Sequence, residues 1–196
     1  MKWDYFIRNT LGFFLQLYPC LLLCCRPFEA YKWKIEKKKF MGIMAGIVFV
    51  SAMIFPWILR IWNQVPVEVV GNLYMVMAII VCVSIFFRMV NTEWYKKAFV
   101  TSIVLYYGLT QYVVVNFILK LITKEEQTEL YSGLVILLYG CTMIVLFPLF
   151  FRTLGYIQKR IFLEMHGKKI QDSLLMVSGI TAAYVIAMCI FSTVVH

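Results

Sequence analysis

From Val69 to Phe87 the chain runs for 19 residues without one charged side chain. A helix rises about 1.5 Å per residue, so about 20 apolar residues match the hydrocarbon core of a bilayer. Charge-free runs of similar character recur at Thr10–Cys25, Phe40–Leu59, Ala98–Leu119, Leu130–Phe151 and Leu174–Val195. They predict an all-α fold: a polytopic membrane protein, one domain of about six transmembrane helices, with no soluble domain. Composition agrees. Of the 196 residues, 62% are hydrophobic and 15% charged, where a soluble domain is nearer half and a quarter; the mean hydropathy is +0.81.

The first run is the shortest. Lys2 and Arg8 precede it as they would a signal peptide, yet no small-x-small cleavage site follows. A lipoprotein-type cleavage before Cys20 or Cys24 would want a small residue where Pro19 and Leu23 stand. The run is therefore read as helix one. The six cysteines, at positions 20, 24, 25, 82, 141 and 189, all lie in apolar runs and form no CxxC pair. Small apolar fillers are the reading, with neither a zinc site nor a disulfide framework.

A formal net charge of +9 would suit nucleic-acid binding on a soluble surface, but here the charge is clumped between apolar runs. Lysine and arginine in short loops sort to the cytoplasmic side. Fourteen of the 19 fall in the loops after runs one, three and five. The other five are Lys2, Arg8, Arg60, Lys120 and Lys124. This predicts a multi-pass protein of the plasma membrane with its N-terminus outside. Six crossings then leave His196 outside too, which suits the front part of a longer chain, or a relative lacking whatever follows.

The densest clump is YKWKIEKKKF, Tyr31 to Phe40. Lys32, Lys34, Lys37, Lys38 and Lys39 are expected to face an anionic inner leaflet, with Tyr31 and Trp33 in the headgroup layer. No nucleic-acid module is present. On the opposite side KLITKEEQTEL carries Glu125, Glu126 and Glu129, a solvated turn or an attractor for a cationic ligand. The longest inner loop places Leu154, Ile157, Ile161 and Met165 at helical spacing, an amphipathic extension on the inner leaflet or a partner-binding helix.

Chemistry in a membrane needs converging ionisable groups. The runs hold none, and His166 and His196 lie in a loop and at the terminus. That argues against proton coupling, metalloprotease chemistry and a Cys-His protease of the peptide-processing kind. No phosphate loop, HExxH or GxGxxG occurs, so no enzyme activity, cofactor or metal site is expected. What remains is neutral polarity. In run four, Tyr107 and Gln111 stand at i, i+4, as do Tyr112 and Asn116, with Thr110 between. Buried amides in lipid need partners, so these side chains, with Gln16 of run one, either bind helices together or line a ligand pocket. Gly42 and Gly46 form a GxxxG that permits close helix contact, and Pro19, Pro56 and Pro148 are candidate kinks.

Several segments together resemble a known family. QLYPCLLLCCRPFE is similar to the first helix of GHKL-type sensor histidine kinases of Firmicutes, the group of the accessory gene regulator sensor. FFRMVNTEWYKKAFVTSIVLYYGLTQYVVVNFIL resembles a loop and the fourth helix of the same proteins, and LYSGLVILLYG their fifth. The resemblance implies a membrane region that detects a peptide pheromone, often as a homodimer, and passes a conformational change to a C-terminal kinase. The phosphoacceptor histidine and ATP-binding boxes of that kinase are absent from this sequence. A different class also fits six helices: the substrate-binding membrane subunit of a vitamin or metal transporter. Such subunits favour small residues in helix one, where this chain has large ones from Leu11 to Leu23, and they keep both termini inside. Co-purification separates the two, an ATPase pointing to transport and a kinase or response regulator to sensing.

Overall fold

A computed structural model describes residues 3–29, 31, 33–122, 131–158, 162, 171–181 and 183–184. Five helices are long and apolar enough to cross a membrane: α1 (Trp3–Cys25), α2 (Lys37–Ile61), α3 (Val67–Met89), α4 (Trp94–Ile122) and α5 (Gly133–Ile157). Residues 171–181 are helical as well. The described residues contain no strand beyond an isolated bridge between Trp33 and Val90. The all-α reading holds, and five of the six expected spans appear as full helices; most of the sixth lies outside the described residues.

The helices overrun the apolar runs that announced them. α1 begins at Trp3, so Arg8, expected ahead of the first span, belongs to a helix and pairs there with Asp4 one turn away at 2.9 Å. An acidic residue in a first turn complements the exposed N–H groups there. α4 begins at Trp94 and takes in Lys96 and Lys97, which the sequence placed in a loop. All three prolines expected to mark kinks lie inside continuous helices. Loops are correspondingly short. Pro27 starts a single 3-10 turn, Arg26–Phe28, that turns the chain out of α1, and Ser132 accepts from the Val135 amide to cap α5.

α1 is central, packed on α2, α4 and α5, while α3 sits mainly against α2. The buried stripe of α2 reads Phe40, Met44, Val48, Ala52, Phe55, Leu59, steps of three and four that keep one side of a 3.6-residue helix inward. Its other face exposes Ile43, Val50, Met53, Ile54 and Trp57, equally apolar. α3 exposes Leu73, Val76, Met77, Ile80 and Val81 along one line. Water-soluble monomers rarely show continuous apolar faces of this size, and hydrocarbon is the solvent that suits them. Gly42 and Gly46 face that side: a Cβ on either would meet nothing within 4 Å, so the GxxxG makes no close contact among the described residues.

Burial resolves into two clusters. One, at the end that carries most lysines, gathers Leu23, Phe28, Phe40, Met44, Phe86, Val100, Leu154 and Phe162. The other, at the opposite end, gathers Phe13, Leu17, Val48, Phe55, Val115, Tyr131 and Tyr139. Here Phe13 stacks on Phe55 at 4.8 Å. The Tyr74 hydroxyl donates to the Ser51 carbonyl at 2.9 Å and lies 3.0 Å from the Ser51 hydroxyl, tying α3 to α2.

Candidate functional site

The polar side chains between α1, α4 and α5 form a connected group. The Tyr131 hydroxyl, just ahead of α5, donates to the Gln16 side-chain oxygen on α1 across 115 residues of sequence. The Gln16 side chain also lies beside the Tyr139 hydroxyl. From α4, the Gln111 amide donates to the Tyr139 carbonyl at 3.2 Å. That carbonyl accepts a second bond from the Thr142 hydroxyl at 3.1 Å. Tyr131 and Tyr139 hold their rings 6.2 Å apart.

Tyr131 fits because α1 offers it a glycine. A Cβ at Gly12 would stand 2.3 Å from its Cδ1 and 2.5 Å from its Cγ, separations that non-bonded carbon atoms do not sustain. The missing side chain lets the ring lie on the α1 backbone and aim its hydroxyl at Gln16, one turn along.

Of the five residues the sequence proposed for this site, Gln16, Tyr107 and Gln111 lie between the helices. Tyr107 and Gln111 are buried in α4 with Val115. The Tyr107 ring meets Phe150 edge-on at 5.2 Å, and its buried hydroxyl has no hydrogen-bond partner among the described residues. The Tyr112–Asn116 pair behaves differently. Asn116 is half-buried and turns its amide back to the Tyr112 carbonyl of its own helix at 3.0 Å, and Tyr112 is 37% exposed. One residue along a helix is about 100° around it, so 107–111 and 112–116 cannot share a face. Thr110 likewise bonds its own helix, at the Tyr106 carbonyl. Gly12, Tyr131 and Tyr139 were not singled out beforehand; the two tyrosines, eight apart in LYSGLVILLYG, carried the only local signal.

Every group in this cluster is neutral. It offers hydroxyls and amides for hydrogen bonds and aromatic faces for packing. Among the described residues no group of three or more His, Cys, Asp or Glu side chains has metal-binding geometry.

At the other end the lysine-rich loop is folded onto the bundle. The Trp33 indole donates to the Phe28 carbonyl at 3.0 Å, and its ring packs on Phe40 at 5.1 Å. The Lys34 amide donates to the Met89 carbonyl at 3.0 Å. Trp33, expected among headgroups, is half-buried in protein. Lys37 pairs with Glu29 at 3.1 Å, and Arg26 pairs with the same carboxylate while lying 4.4 Å over the Phe151 ring. Partial burial of Glu29 opposes its ionisation. The hydrogen bonds and charges of Arg26 and Lys37 outweigh this and hold its carboxyl below the usual range. Lys34, Lys38 and Lys39 are exposed, and Lys39 makes a loose pair with Glu36 at 3.7 Å. Lys32 lies outside the described residues.

Lys96 and Lys97 are each 8% exposed. The Lys97 ammonium donates to the carbonyls of Phe87 and Val90 at 2.8 and 3.1 Å, at the end of α3, and so caps that helix. Lys96 donates to the Tyr31 hydroxyl at 3.3 Å and pairs with Glu93 at 3.2 Å. The acidic loop residues Glu125, Glu126 and Glu129, the amphipathic positions Ile161 and Met165, and both histidines lie outside the described residues. The chain matches no protein-family model, no curated protein and no solved structure.

Proposed function

We propose that this chain is a membrane-embedded sensor region similar to those of GHKL-type, quorum-sensing histidine kinases. It binds an extracellular peptide or other amphipathic ligand and passes a conformational change on; binding rather than catalysis is its work. The observation that carries this reading is the neutral hydrogen-bonded cluster of Gln16, Gln111, Tyr131 and Tyr139, which joins α1, α4 and α5. A ligand that competes for Tyr131 or Gln16 favours one helix arrangement over another, and that difference in affinity is what shifts a population. In this reading the lysine-rich end faces the anionic inner leaflet of the plasma membrane, the cluster lies toward the outside, and the chain works as a homodimer.

The test uses a reporter strain producing the protein, with conditioned culture medium as the ligand source. Loss of one hydrogen bond is worth about 1 kcal/mol. Tyr131→Phe is therefore expected to raise the medium concentration needed for half-response by about fivefold, and Gln16→Leu, which also strands the Tyr131 hydroxyl, by more. A response equal to wild type in both variants, at equal amounts in the membrane, refutes the assignment of the cluster.

A further inference from the structure

The buried residues of α5 fall at its two ends. Val135, Tyr139 and Thr142 are buried near its start, and Leu154 and Ile157 near its finish. From Met143 to Thr153 no residue is buried; Leu146, Phe147, Phe150 and Phe151 touch the core only in part. Pro148 stands in the middle of that stretch. It has no N–H, so the Ile144 carbonyl loses its helical partner, and hydrocarbon offers no water in exchange. Pro19 and Pro56 interrupt α1 and α2 in the same way, but both are buried against the rest of the bundle. Pro148 is exposed.

Each half of α5 has its own anchor. The N-terminal half carries the Tyr139 carbonyl, which accepts from Gln111 of α4 within the polar cluster. The C-terminal half is held by Arg26, in the 3-10 turn that follows α1. The Arg26 guanidinium lies 4.4 Å over the Phe151 ring and would meet a Cβ at Gly155 at 3.5 Å, so it rests on the last two turns of α5. A cation is attracted by the free carbonyls at a helix C-terminus, and its attraction to an aromatic face grows where water is scarce. Glu29 pairs with the same guanidinium, and Lys37 of α2 shares that carboxylate. The two anchors therefore belong to different parts of the frame, with the proline between them.

We propose that Pro148 is a hinge: the C-terminal half of α5 tilts about it while the N-terminal half stays seated, and Arg26, resting on Phe151 and Gly155, holds the tilting half in its observed position. Helices bend where their hydrogen-bond ladder is interrupted, and an interruption outside the packed core leaves the two halves free to move separately. Release of Arg26 moves the end of α5 with the polar cluster intact. The hinge stands on the packing of α5 alone and does not depend on what the chain binds.

Hydrogen exchange of the full chain in detergent micelles tests it, with the amides of 135–142, 149–152, 153–157 and α2 read separately. Pro148→Ala restores the missing donor and is expected to slow exchange at 149–152 by about tenfold or more, given what a proline costs inside a helix. Arg26→Met keeps an apolar stem and removes the charge. It is expected to speed exchange at 153–157 by about fivefold, with 135–142 and α2 unchanged. Glu29→Gln weakens the hold on the guanidinium without altering it and is expected to act in the same direction by about twofold; if Arg26→Met accelerates α2 as well, Glu29→Gln decides alone. Unchanged exchange at 149–152 for Pro148→Ala overturns the proposal. So does unchanged exchange at 153–157 in the deciding variant, or an equal acceleration at 135–142, which would mean that α5 moves as one rod.

Discussion

Truncating Phe28 to alanine is expected to lower the unfolding free energy by about 4 kcal/mol, the middle of the range for a buried phenylalanine. Its ring is fully buried and meets Tyr31, Phe86 and Phe162 at 5.5, 5.6 and 5.8 Å. Its backbone matters as much, since the Phe28 carbonyl accepts from both the Trp33 indole and the Tyr31 amide. In a bilayer the transfer of the lost carbon atoms counts for less than in water, because lipid is as apolar as the core. The expected cost is mainly the void left where four elements meet. Reversible denaturant unfolding in mixed micelles measures it, with Trp3→Ala as the control. Trp3 is 79% exposed, and its truncation is expected to shift stability by less than about 0.5 kcal/mol.

Gly12→Ala carries the second large effect, and its sign runs against intuition. Alanine is the better helix former by about 1 kcal/mol, so at an open position the change stabilises. At Gly12 the new carbon would stand 2.3 Å from Tyr131 Cδ1. The ring must leave the α1 backbone and take its hydroxyl from Gln16. Overpacking costs about 1–3 kcal/mol and the lost hydrogen bond about 1 more, which leaves a net loss of about 2 kcal/mol after the helix gain. Gly42→Ala and Gly46→Ala, where nothing lies within 4 Å, are expected to be neutral or slightly stabilising. Thermal unfolding of the three single variants checks the contrast directly.

The spans were legible because their signal is length without charge, which needs no knowledge of what packs on what. Their ends were less legible. Asp4 and Arg8 pair with each other and so ride within α1, and Lys96 and Lys97 find partners on Tyr31, Glu93, Phe87 and Val90 that a charge count does not reveal. Which face of each helix is buried was the hardest to read. On α2 the inner and outer faces are equally apolar, so the 3.6-residue period leaves little trace in composition. The amide ladder of α4 shows the consequence. The pairs Tyr107–Gln111 and Tyr112–Asn116 look alike in sequence, yet the first is buried and the second is not. Tyr131 and Gln16 meet from 115 residues apart, and no local pattern announces such a contact.

In the reading proposed above, the bundle crosses the membrane several times with its lysine-rich end in the cytoplasm. This orientation is tested most directly by placing single cysteines at Lys38 and at Asn63, both exposed, in a chain whose six native cysteines are replaced by alanine. A membrane-impermeant maleimide is expected to label Asn63→Cys in intact cells, and Lys38→Cys only after the membrane is opened. Labelling of Lys38→Cys in intact cells, with Asn63→Cys protected, would reverse this orientation.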